Sequence, residues 1–324
     1  MEQQNKCLKM EAISKYFTTH KRGEREEDNQ DSVCINKENG RYTLSDGVSQ
    51  SFLPRLLADI LTESFVAASN NDIFPDKSLP EIFQKRKNEY ISSLDEFGAS
   101  MQEIAEETFK GLAAATFVGL EIHEQHVVWK VIGDSCLFII PDDGTIQCVC
   151  SEDVNIDANG SIHVAFGTTP AQIQSDGKIY GEFITGQTQI KTGWYILMSD
   201  AISDWFIKEY NNNKEKVIEQ LFQLKDNAEF ECFIEKEFRS NRIKNDDCSV
   251  ILIRIENGKT EAYPQKDEPG PDYFNDVEKN DLKIKALPRN ILVWLREKIF
   301  KNKEIAKIQS EHKNNDYDEL HTRD

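Results

Sequence analysis

The sequence predicts an α+β layered domain, and two observations carry that expectation. Short apolar runs with turn signals between them recur in groups, and helical stretches gather between those groups rather than alternating with single strands. Aspartates fall repeatedly at the ends of the apolar runs. The chain has 324 residues, 39% hydrophobic and 30% charged, an ordinary globular balance with enough length for a sizeable core.

Residues 32–36 (SVCIN) and 41–46 (RYTLSD) flank Lys37-Glu38-Asn39-Gly40 and read as a β-hairpin. From Ser51 to Ser69, Phe52, Leu56 and Ile60 recur four apart with Leu53, Leu57 and Leu61 beside them, the pattern of an amphipathic helix. A second helical stretch is expected from Ser78 to Lys110. Residues 113–121, 126–132, 136–140 and 145–150 follow as four strands, expected to form one meander. The polar, glycine-containing stretch Ser151–Gly186 reads as a partly ordered flap. Residues 194–199 return as a strand, two or three helices occupy about 202–240, and 248–255 is a fully apolar strand.

The domain is expected to span 1–256. Residues 257–287, with Pro264 and Pro269-Gly270-Pro271, read as a linker, 288–310 as an amphipathic basic helix and 311–324 as a polar tail. That helix suits packing on the body, docking to a partner, or an anionic membrane surface with Trp294 and Phe300 at the interface. No stretch reaches the ~18 apolar residues of a membrane span, and Met1–Lys6 lacks the apolar core of a secretory signal, so a cytoplasmic location is expected. The seven cysteines contain no C-x-x-C pair and read as buried reduced thiols rather than a zinc or disulfide framework. A net charge of −18 argues against nucleic acid as a partner. It would also repel a phosphorylated substrate unless bound cations or a few basic residues supplied local positive charge.

Asp31 opens one strand of the first hairpin and Asp46 closes the other, which puts both at one sheet edge. Asp134 lies in Gly133-Asp134-Ser135 after the strand 126–132. Asp200 ends 194–199 and Asp246 precedes 248–255, so these two meet if their strands are antiparallel neighbours. Asp204 follows Asp200 by one helical turn. A lone Asp-Gly or a lone helix-initial aspartate is usually a turn or a cap, but several at matching strand ends read as a site. Carboxylates without histidine or cysteine suit Mg²⁺ or Mn²⁺, and two such ions can activate a water for attack on phosphorus. His123-Glu124-Gln125-His126 lacks metalloprotease spacing and reads as a hairpin turn; no P-loop motif is present.

In order along residues 11–256, Asn29-Gln30-Asp31, Leu44-Ser45-Asp46-Gly47-Val48, Ala115-Thr116-Phe117, Val131-Ile132-Gly133-Asp134-Ser135, Leu197-Met198-Ser199-Asp200-Ala201 and Asp246-Asp247-Cys248-Ser249-Val250 resemble the motifs of the PPM, or protein phosphatase 2C, family. The resemblance implies a four-layer α-β-β-α sandwich of two antiparallel sheets flanked by helix pairs. It also implies a dinuclear Mn²⁺/Mg²⁺ centre that hydrolyses phosphoserine or phosphothreonine, opposing a serine/threonine kinase. Under it Asp46 bridges both metals, the Gly47 carbonyl binds the second, Asp200 and Asp246 bind the first, Asp134 and Asp204 hold a third ion in many members, and Asp31 orients the attacking water. The basic residue for phosphate is Arg25, six before Asp31, with Arg22 and His20 as alternatives and a solvated charge among Glu24, Glu26 and Glu27 as the plain reading. Ser49-Gln50 stands where the family usually has glycine, as does Ala201; a catalytically silent module that binds a phosphoprotein is the competing function.

Overall fold

The computed structural model describes residues 10–68, 74–92, 111–167 and 170–257. Except for Asn88–Ser92, they belong to one compact unit. Asn257, expected to open the linker, is the last residue of a strand; the rest of the linker, the basic helix and the tail, and the continuation of the second helix beyond Ser92, lie outside the described residues.

Two five-stranded antiparallel sheets form the centre. The first runs β13 (Ile184–Gln189), β6 (His126–Ile132), β5 (Phe117–Ile122), β3 (Arg41–Asp46) and β2 (Asp31–Asn36). The second runs β1 (Met10–Thr19), β15 (Cys248–Asn257), β14 (Gly193–Met198), β7 (Cys136–Pro141) and β8 (Gln147–Val149). Period-two alternation sorts their side chains into layers. On β7, Leu137 and Ile139 pack between the sheets, while Cys136, Phe138 and Ile140 face the helices; β15 divides likewise into Ile251, Ile253 and Ile255 against Val250 and Leu252. A strand apolar on both faces must be covered on both, which is why 248–255 reads as continuously hydrophobic.

Helix α1 (Pro54–Ala67) covers the first sheet. Leu53 enters it with φ +50 and Pro54 fits the first helical turn. Phe65 lies edge-on to Phe117 at 5.3 Å, over Gly119, where a Cβ would come within 2.7 Å of the Phe65 ring. Among the described residues, α2 (Leu79–Ser92) is followed by α3 (Asp200–Asn212), α4 (Lys214–Phe222) and α5 (Asn227–Arg239). Their apolar residues, with Trp205, Phe206 and Phe230 at or below 1% exposure, pack on the second sheet. Asp226 caps α5 by accepting the Glu229 amide at 2.9 Å. The four-layer α-β-β-α order expected from the sequence is therefore present.

Two expectations need correction. The strands over 113–150 are not one meander: β5 pairs with β6, but after β6 the chain crosses at Gly133 (φ +103) into the other sheet, where β7 pairs with β14 and β8. Apolar runs on either side of a turn look alike whether or not they share a sheet. Residues 151–186 are more ordered than a flap. They hold the hairpin β9 (Asp153–Ile156)–β10 (Ile162–Ala165), then β11 (Gln172–Gln174) and β12 (Ile179–Tyr180) in a small sheet with β4 (Ala114–Ala115), and the start of edge strand β13. Strand β1, which pairs along all ten residues with β15, has no sequence counterpart above. It is an edge strand rich in Glu, Ser, Lys and Thr, so no apolar alternation marks it.

Candidate metal centre

The hairpin places Asp31 directly opposite Asp46. The Asp46 carbonyl accepts the Thr116 amide at 2.8 Å, and the Gly47 amide donates to the Gln30 carbonyl at 3.2 Å. A Cβ at Gly47 would lie 2.7 Å from Pro54 Cβ and 3.0 Å from the Gln30 carbonyl oxygen. Glycine is thus required by the close approach of the start of α1, which leaves the backbone beside Asp46 uncovered by a side chain.

From the second sheet, β14 and β15 are antiparallel neighbours with Met198 opposite Val250, so Asp200 and Asp246 leave from the same end. The Ser249 amide donates to Ser199 Oγ at 2.9 Å and the Ser199 amide to the Ser249 carbonyl at 3.0 Å, stapling the two ends. Asp134 occupies the crossover between the sheets, anchored where the Gly133 amide donates to Ser151 Oγ at 3.0 Å and Thr116 Oγ1 meets Ser135 Oγ at 2.9 Å. Strand ends from both sheets thus deliver carboxylates to one edge of the sandwich.

The electrostatics show that they interact. Burial, then the charge of Asp247, pushes Asp31 up to about 8; the Ser199 and Ser249 hydroxyls counter the rise. Neither hydroxyl is hydrogen-bonded to it: Ser249 Oγ faces Thr18 Oγ1 at 2.8 Å, and both Asp31 carboxylate oxygens are buried without a hydrogen-bond partner. Asp46 is raised well above the carboxylate range by burial, then by Asp31, Asp200, Asp134 and Asp246. Burial and the Asp200 charge raise Asp134 to about 7, and its Oδ1 is likewise buried and unpartnered. Asp200 is raised by burial against the lowering effect of Lys244. Buried, mutually repelling carboxylates with orphan oxygens are what a cation-binding site presents, because buried acids otherwise pair or hydrogen-bond. Hard oxygen donors without nitrogen or sulfur fit Mg²⁺ or Mn²⁺.

Not every predicted residue joins the cluster. Asp204 lies on the exposed side of α3 and accepts from Lys208 Nζ at 2.6 Å, an i,i+4 pair. Arg25 is half exposed and donates to Glu27 at 3.0 Å, the solvated ion pair its acidic neighbours allow. Arg22 lies 3.6 Å from Glu235 and over the Phe238 ring, and His20 Nδ1 contacts the Lys21 carbonyl. His123 and His126 stack at 4.6 Å across the hairpin turn, as the sequence suggested.

Three residues at the site escaped the sequence reading. Lys244 Nζ is bonded to Asp200 and stands 3.7 Å from Asp246; its position two before Asp246 was the available signal. Asp247, 4% exposed, accepts the Lys21 amide at 2.8 Å and the Gln30 amide at 2.9 Å, tying the loop before β2 to the head of β15. Arg55 donates to the carbonyls of Asn29 and Asp31 and to Asp59 at 2.8 Å, holding the start of β2 from behind. The substitution at Ser49 also has a local explanation: its hydroxyl donates to Gln30 Oε1 at 2.7 Å.

No protein-family model and no curated protein matches the sequence. Among solved structures, the chain is similar to PppA, described as a key regulatory component of T6SS in Pseudomonas aeruginosa (13% identity, 76% of this chain, 98% of that chain, TM-score 0.43). It is similar also to the catalytic domain of the serine/threonine protein phosphatase PstP in complex with two manganese ions (16%, 76% and 99%, TM-score 0.42). A third is the serine/threonine phosphatase Stp1 from Staphylococcus aureus (16%, 79% and 100%, TM-score 0.42). At 13–16% identity these likenesses are of fold. Among the described residues, no helix is long and apolar enough to cross a membrane.

Proposed function

We propose that this chain is a metal-dependent phosphoprotein phosphatase acting on phosphoserine or phosphothreonine, and that its phosphatase domain spans residues 1–256. The observation that supports it most is the placing of Asp31, Asp46, Asp134 and Asp200 at strand ends on one edge of the sandwich, with Asp31 and Asp134 buried and carrying orphan oxygens and Asp46 raised by burial and by the charges of the other three. In this reading Asp46, the Gly47 carbonyl, Asp200 and Asp246 hold two Mn²⁺ or Mg²⁺ ions, and Asp134 contributes to a third. Bound there, such ions supply an acidified water and neutralise charge on the phosphoryl oxygens. Asp31, with two unpartnered oxygens, accepts a hydrogen from the attacking water and fixes its direction. Asp247 and Arg55 act through position: they clamp the two ends of Gln30–Asp31, so that the carboxylate cannot swing away from the edge.

Lys244 is the cation the chain itself brings to Asp200, and it replaces Arg25 as the favoured basic group to meet a phosphate oxygen. The test is Mn²⁺-dependent phosphate release from phosphoserine and phosphothreonine peptides. Asp46→Asn and Asp200→Asn are expected to remove it; turnover at the parent rate in both would exclude this mechanism.

One observation favours the silent alternative, a module that binds a phosphoprotein without hydrolysing it: Lys244 already neutralises Asp200 and approaches Asp246. Under that reading the peptides bind, Mn²⁺ adds no turnover, and Lys244→Met weakens the peptide.

A further inference from the structure

Behind the carboxylate edge, the layer between the second sheet and its helices contains a cluster that the proposed hydrolysis does not use. Cys136 on β7 and Cys148 and Cys150 at and just beyond β8 bring their Sγ atoms within 4.8 Å of one another. The pairing explains why. Register places Phe138 opposite Cys148 and Leu137 opposite Val149, so Cys136 falls opposite Cys150, and Cys148, two residues from Cys150, shares its face. All three belong to the helix-facing core and are 8% exposed or less. The sequence reading took the Cys148-Val149-Cys150 alternation for core packing; the third thiol, delivered from the neighbouring strand, is what only the sheet pairing reveals.

We propose that Cys136, Cys148 and Cys150 form a site for one soft, thiophilic metal ion, Cu(I) being the ion that the ligand set fits. Thiolates select soft ions. Structural zinc almost always takes four ligands, whereas Cu(I) accepts three, the number the cluster offers. Around a trigonal ion with metal–sulfur bonds of ~2.3 Å, sulfurs lie about 4 Å apart, so the observed span needs little closure. Binding converts the thiols to thiolates and releases their protons to solvent.

Entry is from the sheet margin. Strand β8 is three residues long and is the edge of its sheet, and the side chains over that side of the core, Ile146, Val154, Val164 and Phe166, are only partly buried. The site neighbours the catalytic edge through the chain itself. Cys136 Sγ donates to the Asp134 carbonyl at 3.4 Å, and Ser151, next to Cys150, bonds to Gly133 at both its amide and its hydroxyl.

The test uses the full chain, reduced and anaerobic, in a Cys7→Ser/Cys232→Ser background that removes an N-terminal cysteine and an exposed one. Cu(I) is delivered from a bicinchoninate buffer and followed by competition and by native mass spectrometry. About one tightly held equivalent is expected. Cys136→Ser, Cys148→Ser and Cys150→Ser should each weaken it by more than the ~10–100-fold typical of losing an outer-shell partner. Cys34→Ser, which alters a thiol on the other sheet, should not. Circular dichroism and thermal melting verify that each serine variant is folded. Failure of the parent to compete with bicinchoninate, or retention of the ion by folded Cys148→Ser and Cys150→Ser, overturns the site. Neither result bears on the phosphatase reading, which uses none of these thiols.

Discussion

Replacing Asp31 by asparagine should change how stability depends on pH. In the folded protein the Asp31 carboxyl is raised from 3.8 to about 8, so its proton is held more tightly folded than unfolded. The sign follows from linkage: a raised folded pKa adds stability that is fully present below the unfolded value and is lost as pH rises through the folded one. Between about pH 4 and pH 8, each pH unit therefore costs about 1.4 kcal/mol, or on the order of 4 kcal/mol from pH 5 to pH 8 in the absence of divalent cations. Asparagine has a similar shape, carries no charge and cannot titrate. It leaves a comparable buried polar group unpaired, which shifts both ends of the pH range alike. Its loss of charge also relieves Asp46, for which Asp31 is the largest charge contribution. For a domain of this size ~1 kcal/mol moves Tm by roughly 2–4 °C, so in EDTA the parent should lose ~8–16 °C more than Asp31→Asn between pH 5 and pH 8. Differential scanning calorimetry reads this directly. Parallel Tm-versus-pH curves for the two proteins would refute the claim that Asp31 is a buried acid in a repelling cluster.

Other expectations concern the same edge and its supports. Mn²⁺ at about 100 times its dissociation constant should add ~2.7 kcal/mol of stability, measured as a rise in Tm that Asp46→Asn and Asp200→Asn abolish. Lys244→Met should lower Tm in EDTA, where it leaves Asp200 without its counter-ion, and tighten Mn²⁺ binding by calorimetry; unchanged affinity would show that the lysine does not compete for Asp200. Gly47→Ala should cost ~1–3 kcal/mol in chemical denaturation, because its methyl would lie 2.7 Å from Pro54 Cβ. Glu237, 2% exposed, accepts Trp205 Nε1 at 3.0 Å and the Arg242 fork at 2.6 and 2.8 Å. Burial raises its pKa, but those donors hold it below the usual glutamate range. Its stabilisation is present above the unfolded value and lost as pH falls through the lower folded one; Glu237→Ala should cost about 3 kcal/mol at pH 7 and less in acid.

The sequence alone determined the layered class, the first hairpin and the strands of the central sheets other than β1 and β13, because apolar periodicity and turn residues are local signals. It also put Asp31 and Asp46 at one sheet edge, because a hairpin makes its strand ends coincide, and it brought Asp200 and Asp246 together on condition that their strands pair antiparallel, which the β14–β15 register meets. Tertiary structure decided what depends on groups far apart in the chain. It placed β6 and β7 in different sheets and gave β1 to an edge that carries no hydrophobic pattern. It put Lys244 on Asp200 and a third sulfur beside the Cys148–Cys150 pair. A ligand set is a meeting of strand ends and neighbouring strands; sequence spacing records each strand's own alternation, and only sheet pairing fixes which side chains meet across it.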